Sequence, residues 1–191
     1  MTAEARPARW SGLIISLHWA GAAIIVVLIA LGWAMIYGGL DAASTFDLYQ
    51  WHKSFGFVAL ALTAARLAAR FASSSPPAPA SPSWERWLAA LAQGSLYVLT
   101  LGAIVSGWLV VSTSPLPVPT RLFDLFVIPN IAPADPALFA EAALAHKLAA
   151  WAIAFLVALH VAGALKHHVV NRDDVLTRML PDWPKPGPSR R

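Results

Sequence analysis

The sequence predicts an all-α integral membrane protein, a four-helix bundle of up-down-up-down topology. Two observations predict it. Of the 191 residues, 58% are hydrophobic and only 13% are charged, against about a quarter charged in soluble domains. Four apolar runs, at about 12–37, 51–71, 88–112 and 143–169, each reach the roughly 20 residues that a helix needs to cross the bilayer core. No remaining stretch could build a soluble domain of its own. Residues 8–180 therefore read as one transmembrane domain, with tails at 1–7 and 181–191.

The first run is longer than a signal-peptide core, and its end, GWAMIYGG, lacks a small-x-small cleavage site. It is expected to stay as the first span. A short connection opening with two glycines leads to the second span. SSSPPAPASPS (Ser73–Ser83) reads as a disordered or extended linker, and Trp84 and Trp87 as an interfacial anchor ahead of the third span. In that span Gly102 and Gly107 read as close-packing points. The connection 113–142 is Pro-rich yet unusually apolar. TRLFDLF (Thr120–Phe126) is expected on the membrane surface, and the whole connection is expected to act as a lid over the bundle.

Charge sets the orientation. Eleven of the 14 Lys and Arg residues fall on the side of the two termini: Arg6, Arg9, Arg66, Arg70, Arg86, Lys166, Arg172, Arg178, Lys185, Arg190 and Arg191. Lys53, Arg121 and Lys147 occupy the other side. The positive-inside rule then puts both termini in the cytoplasm. The net charge of +4 reflects topology and attraction to anionic membrane lipid, with no nucleic acid as partner. The absence of cysteine excludes disulfides, iron–sulfur clusters, thiolate metal sites and covalent haem attachment.

Ionisable residues inside spans mark functional sites by default. Of six histidines, His167 and His168 follow the last span and read as solvated. The other four sort by depth. His18 and His160 each lie about 9 Å below the cytoplasmic face, while His52 and His146 open their helices at the external face. His146 and His160 are fourteen residues apart, so they share one helix face with levels about 21 Å apart. That separation accommodates two stacked cofactors, each gripped by a histidine of the fourth helix and one of another helix. Two imidazoles per level complete a b-type haem but leave zinc or copper short of ligands. Met35, at the external depth, is a weaker alternative ligand there. Gly21, Gly56 and Gly163 each follow a histidine by one helical turn, where a flat porphyrin needs room; helix contact is their other reading. Arg66, fourteen residues after His52, suits a haem propionate, or else snorkels as Arg70 is expected to do.

RWSGLIISLHWAGAAIIV, YQWHKSFGFVALALTAARLAAR, GSLYVLTLGAIVSGW and AHKLAAWAIAFLVALHVAGALKHHVV together resemble the bacterial cytochrome b561 family of small di-haem membrane proteins. The resemblance covers about residues 8–180. It implies two haem b groups stacked across the bacterial inner membrane. His18 and His160 would ligate the cytoplasmic-side iron, and His52 and His146 the external-side iron. It also implies electron exchange with the quinone pool, and one branch of the family oxidises superoxide and reduces ubiquinone. Lys53 and Lys147, each directly after an external histidine, suit the steering of a small anion, or pairing with propionates or lipid phosphates. Trp51, Trp151, Ser54 and Ser106 are candidates for a quinone site. No carboxylate lies deep in a span, which argues against a proton pump. Two rival readings stand beside superoxide oxidation: an electron-transfer subunit of a larger dehydrogenase or hydrogenase, whose donor is a protein, and a haem-free metal-binding or transport protein.

Overall fold

The computed structural model describes residues 9–74, 76–77, 81–116 and 118–181. Arg6, Lys185, Arg190 and Arg191, and Ser75, Ala78, Pro79 and Ala80 of the linker, lie outside the described residues. Four helices follow one another: α1 Gly12–Tyr37, α2 Ala42–Ala72, α3 Ser83–Thr113 and α4 Pro136–Lys166. All four are long and apolar enough to cross a membrane. Three of them start later in the sequence-based reading, and at α2 and α4 a polar cap extends the helix past its apolar stretch. Asp41 accepts the amides of Ala43 and Ser44, and Asp135 those of Ala137 and Leu138, with Pro136 in the first turn. Each satisfies amides that the helix itself leaves unpaired. In consequence His52 and His146 do not open their helices; each lies ten residues inside one.

Contacts fix the up-down-up-down order. His18 of α1 meets His160 of α4 at one end, and His52 of α2 meets His146 of α4 at the other. Gly32 of α1 approaches His52, and Gly107 of α3 approaches His146. Helix α1 lies along α2 and α3 along α4, so the bundle is two helical hairpins, touching chiefly through α2 and α3. Its interior is sparse. Among the described residues the buried apolar side chains are Ile14, Ile15, Ala59, Ala142 and Ile153. Small polar side chains, Ser54, Thr100, Ser106, Ser112 and Thr113, are buried beside them. Large apolar groups such as Phe71, Val98 and Phe155 point outward, as lipid permits.

Each end is closed differently. At the loop end the α3–α4 connection departs from the all-α expectation. Strands β1 Thr120–Leu122 and β2 Phe126–Ile128 form an antiparallel hairpin, with Arg121 opposite Val127. β-branched and aromatic residues here favour a pleated ribbon, and the segment is too short for a stable isolated helix. The Leu125 amide donates to the Leu122 carbonyl at 2.9 Å, with Phe123 and Asp124 at positive φ. The hairpin is fastened to the bundle. Ser54 Oγ donates to the Arg121 carbonyl at 3.1 Å and accepts the Phe123 amide at 3.0 Å. Trp108 Nε1 donates to the Pro129 carbonyl at 3.0 Å, and Ser112 Oγ accepts the Ile131 amide at 3.1 Å.

At the terminal end α4 widens into a π turn, His167–Asn171, stopped by Arg172 in the left-handed conformation. The chain then folds back over the bundle. Trp19 Nε1 donates to the Met179 carbonyl at 2.6 Å, the Trp10 amide to the Arg178 carbonyl, and Arg9 to the Leu180 carbonyl. Arg178 bonds the Pro77 carbonyl at 2.6 Å and pairs with Asp174 at 2.9 Å. His167 is not solvated as expected. Its side chain is only 16% exposed, with Nδ1 2.6 Å from Asp173 and Nε2 3.8 Å from Glu85; His168 is exposed. Arg70 does not simply snorkel either: its guanidinium lies 4.3 Å from the Trp10 ring centre, a cation–π contact.

Candidate functional site

The four intramembrane histidines form two pairs, each spanning the seam between the helical hairpins. His18 and His160 have ring centroids 6.2 Å apart at an interplanar angle of 66°. His52 and His146 are 6.0 Å apart at 81°. A metal–imidazole bond is about 2 Å and the ring centre lies roughly 1 Å beyond the nitrogen, so two rings on opposite sides of one ion stand about 6 Å apart. Both pairs match that spacing. No group of three or more His, Cys, Asp or Glu suited to a metal occurs among the described residues, which disfavours a zinc or copper site built from protein ligands alone.

The pairs also have room and unmet demand around them. Cβ atoms built on Gly21, Gly56 and Gly163 would meet nothing within 4 Å. These glycines border open space rather than a helix contact. The Nδ1 atom of His18 is buried without a hydrogen-bond partner among the described residues, an arrangement that costs free energy unless a partner is supplied. Apolar walls, paired imidazoles and free volume fit a flat, iron-bearing macrocycle.

His146 is held most firmly. Its Nδ1 lies 2.8 Å from the Ala103 carbonyl. A carbonyl only accepts, so the proton sits on Nδ1 and Nε2 keeps its lone pair for a metal. A Cβ on Gly107 would stand 3.1 Å from the His146 Cε1 and Nδ1. Gly107 is thus a close-packing point whose partner is the imidazole. The sequence reading missed Gly32, where a Cβ would come within 3.7 Å of His52 Cε1. The signal was present: Gly32 follows His18 by fourteen residues, the same interval that singled out Arg66 after His52.

At the terminal end Arg66 is half-buried, 5.4 Å from the Tyr97 ring centre, and its charge acts on both His18 and His160. Of the two loop-end lysines, Lys147 is exposed, whereas Lys53 is half-buried and donates to the Pro119 carbonyl at 3.4 Å. The quinone candidates scatter. Ser54 is committed to the hairpin, Ser106 Oγ donates to the Ala103 carbonyl at 3.1 Å, and Trp151 packs edge-on against Trp33 at 5.8 Å. Trp51 borders a cleft of about 400 Å³ between α2 and the hairpin, with Gln50, Arg121 and Phe123. The Gln50 Oε1 is buried there without a partner among the described residues.

Residues 9–182 match the family model described as prokaryotic cytochrome b561. The chain is 30% identical over 176 residues to "Cytochrome b561 homolog 2" of Escherichia coli (strain K12), covering 91% of this chain and 92% of that protein. The chain belongs to the prokaryotic cytochrome b561 family. With four spanning helices, it is a multi-pass membrane cytochrome of a family that binds haem b.

Proposed function

We propose that this cytochrome b561 family member carries two haem b groups and passes electrons from superoxide, at the external face, to ubiquinone in the bacterial inner membrane, with both termini in the cytoplasm. The observation that carries this reading is the repeated pairing: two imidazoles about 6 Å apart across the seam, once at each end of the bundle. His52 and His146 would hold the loop-end haem, and His18 and His160 the terminal-end haem. Bound in this way, haem supplies reversible one-electron chemistry at its iron.

The chain's own residues do the rest. The imidazoles fix depth and orientation. Gly21, Gly56 and Gly163 leave the open space beside them, and Arg66 offers a charge to a propionate at the terminal end. Lys147, exposed next to a loop-end ligand, favours approach of a small anion; Lys53 contributes charge from the base of the hairpin. Two superoxide anions, each losing one electron and leaving as dioxygen, reduce one ubiquinone, which takes up two protons to become ubiquinol. The cleft beside Gln50 and Trp51 suits the quinone head group, since it offers an aromatic wall and an amide oxygen that can accept from a hydroxyl of the reduced form. The excess of Lys and Arg at the terminal end supports the orientation.

The test is the visible spectrum and haem count of the purified protein, followed by mixing with a superoxide source and then ubiquinone. Two b-type haems reduced by superoxide and reoxidised by quinone are expected. Two haems that superoxide leaves unreduced would exclude it as donor and turn the search to a protein donor. A colourless protein expressed with ample haem would sink the whole reading.

A further inference from the structure

We infer that the Ala103–Gly107 turn of α3 is a seat for His146 that sets the potential of the loop-end centre, with Ser106 as its tuning residue. The inference rests on His146 holding a haem, as proposed above. Three donors converge on one oxygen. The Ala103 carbonyl accepts the His146 Nδ1–H at 2.8 Å and the Ser106 hydroxyl at 3.1 Å. As a carbonyl inside an α-helix it also accepts the amide four residues on, that of Gly107. An oxygen with two lone pairs cannot serve three donors equally.

Ser106 is 8% exposed, so water does not dilute the competition. Its hydroxyl draws acceptor strength away from the imidazole. A weaker Nδ1–H···O bond leaves Nε2 less basic, and a less basic ligand favours the reduced, less positively charged iron. Gly107 completes the seat by omission. With a Cβ at 3.1 Å from two ring atoms, any side chain there must push the imidazole away from the carbonyl. His18 has no such support, since its Nδ1 is without a partner among the described residues. Ser106 is therefore a positioning residue that acts through His146.

The experiment is a potentiometric titration of the purified full-length protein and its Ser106→Ala variant, with low-spin electron paramagnetic resonance on both. The loop-end centre is identified as the one that His18→Ala leaves in place. Ser106→Ala should favour the oxidised loop-end centre about threefold, a downward shift of about 30 mV for a one-electron couple, and change the g-value spread of that centre alone. Ser106→Thr, which keeps the hydroxyl, should restore the parent values. Gly107→Ala should disturb or deplete the loop-end centre and spare the other. A loop-end potential unmoved by Ser106→Ala, or two centres shifted alike, would overturn the inference while leaving the two-haem reading intact. Fewer than two haems in the parent protein would overturn both.

Discussion

The two histidine pairs have nearly the same ring spacing, yet they are supported by different means. At the loop end a helix does the work: His146 is locked by the Ala103 carbonyl, its ring fits where Gly107 has no side chain, and a hairpin pinned by Ser54 covers the neighbouring end of α2. At the terminal end charge and a folded-back chain take over. Arg66 acts on both rings, Trp19 links the turn carrying His18 to the Met179 carbonyl, and Glu85 and Asp173 hold His167 and Lys166. One ring spacing can thus be preset by packing or supported by charge, and each should fail in its own way.

The sharpest way to break the comparison is to remove one ligand from each end. His146→Ala should abolish the loop-end haem and His18→Ala the terminal-end haem, each leaving about half the haem by pyridine haemochrome assay. Loss of both from either well-folded variant would mean that the ends are not independent. Next in size, Arg66→Gln removes a positive charge that favours the reduced state. It should lower the terminal-end potential alone, by roughly five- to tenfold in the reduction equilibrium, or about 40–60 mV, and redox titration would read it. An equal shift at the loop end would show that the charge is felt across the whole bundle.

Ser54→Ala probes the hairpin. It strips the Phe123 amide of its acceptor, at a cost of about 1 kcal/mol, and amide hydrogen exchange should speed up across 120–128 while the terminal end stays protected. Unchanged exchange would show that the Phe123 ring, tilted against Trp51 and edge-on to Phe55, suffices to hold the hairpin.

Asp173 should give the smallest effect. Burial pulls its carboxyl upward, but the bonds from His167 and the Val175 amide prevail and hold it below the usual carboxylate range. A carboxyl depressed on folding adds stability that is fully present above its unfolded value, about 3.9, and lost as pH falls through the folded one. Asp173→Asn should cost under about 0.5 kcal/mol at pH 7, because the group is partly exposed and screened. The difference from the parent should begin to shrink as pH falls below about 4 and vanish once pH lies below the folded value. A constant difference across pH in thermal melts would assign the effect to packing instead.

Residue order alone was enough for the number of spans, for which histidines fall at the same end of the bundle, and for the fourteen-residue interval that puts His146 and His160 on one face. These follow from rise and rotation along a single helix, which the order of residues spells out. It also exposed Gly21, Gly56, Gly163 and Arg66 by their phase against the histidines. What each side chain meets from another helix came from the packed fold. Gly107 turned out to face an imidazole, Ser54 to clip a hairpin sixty-seven residues away, Arg70 to rest on Trp10, and His167 to enter an ionic cluster. The sequence offered Ser106 only as a quinone-site candidate, since it shares one carbonyl with a residue forty-three positions from that carbonyl. Lateral partnerships depend on how closely and at what rotation the helices approach. That is a property of the packed bundle, and no local spacing encodes it.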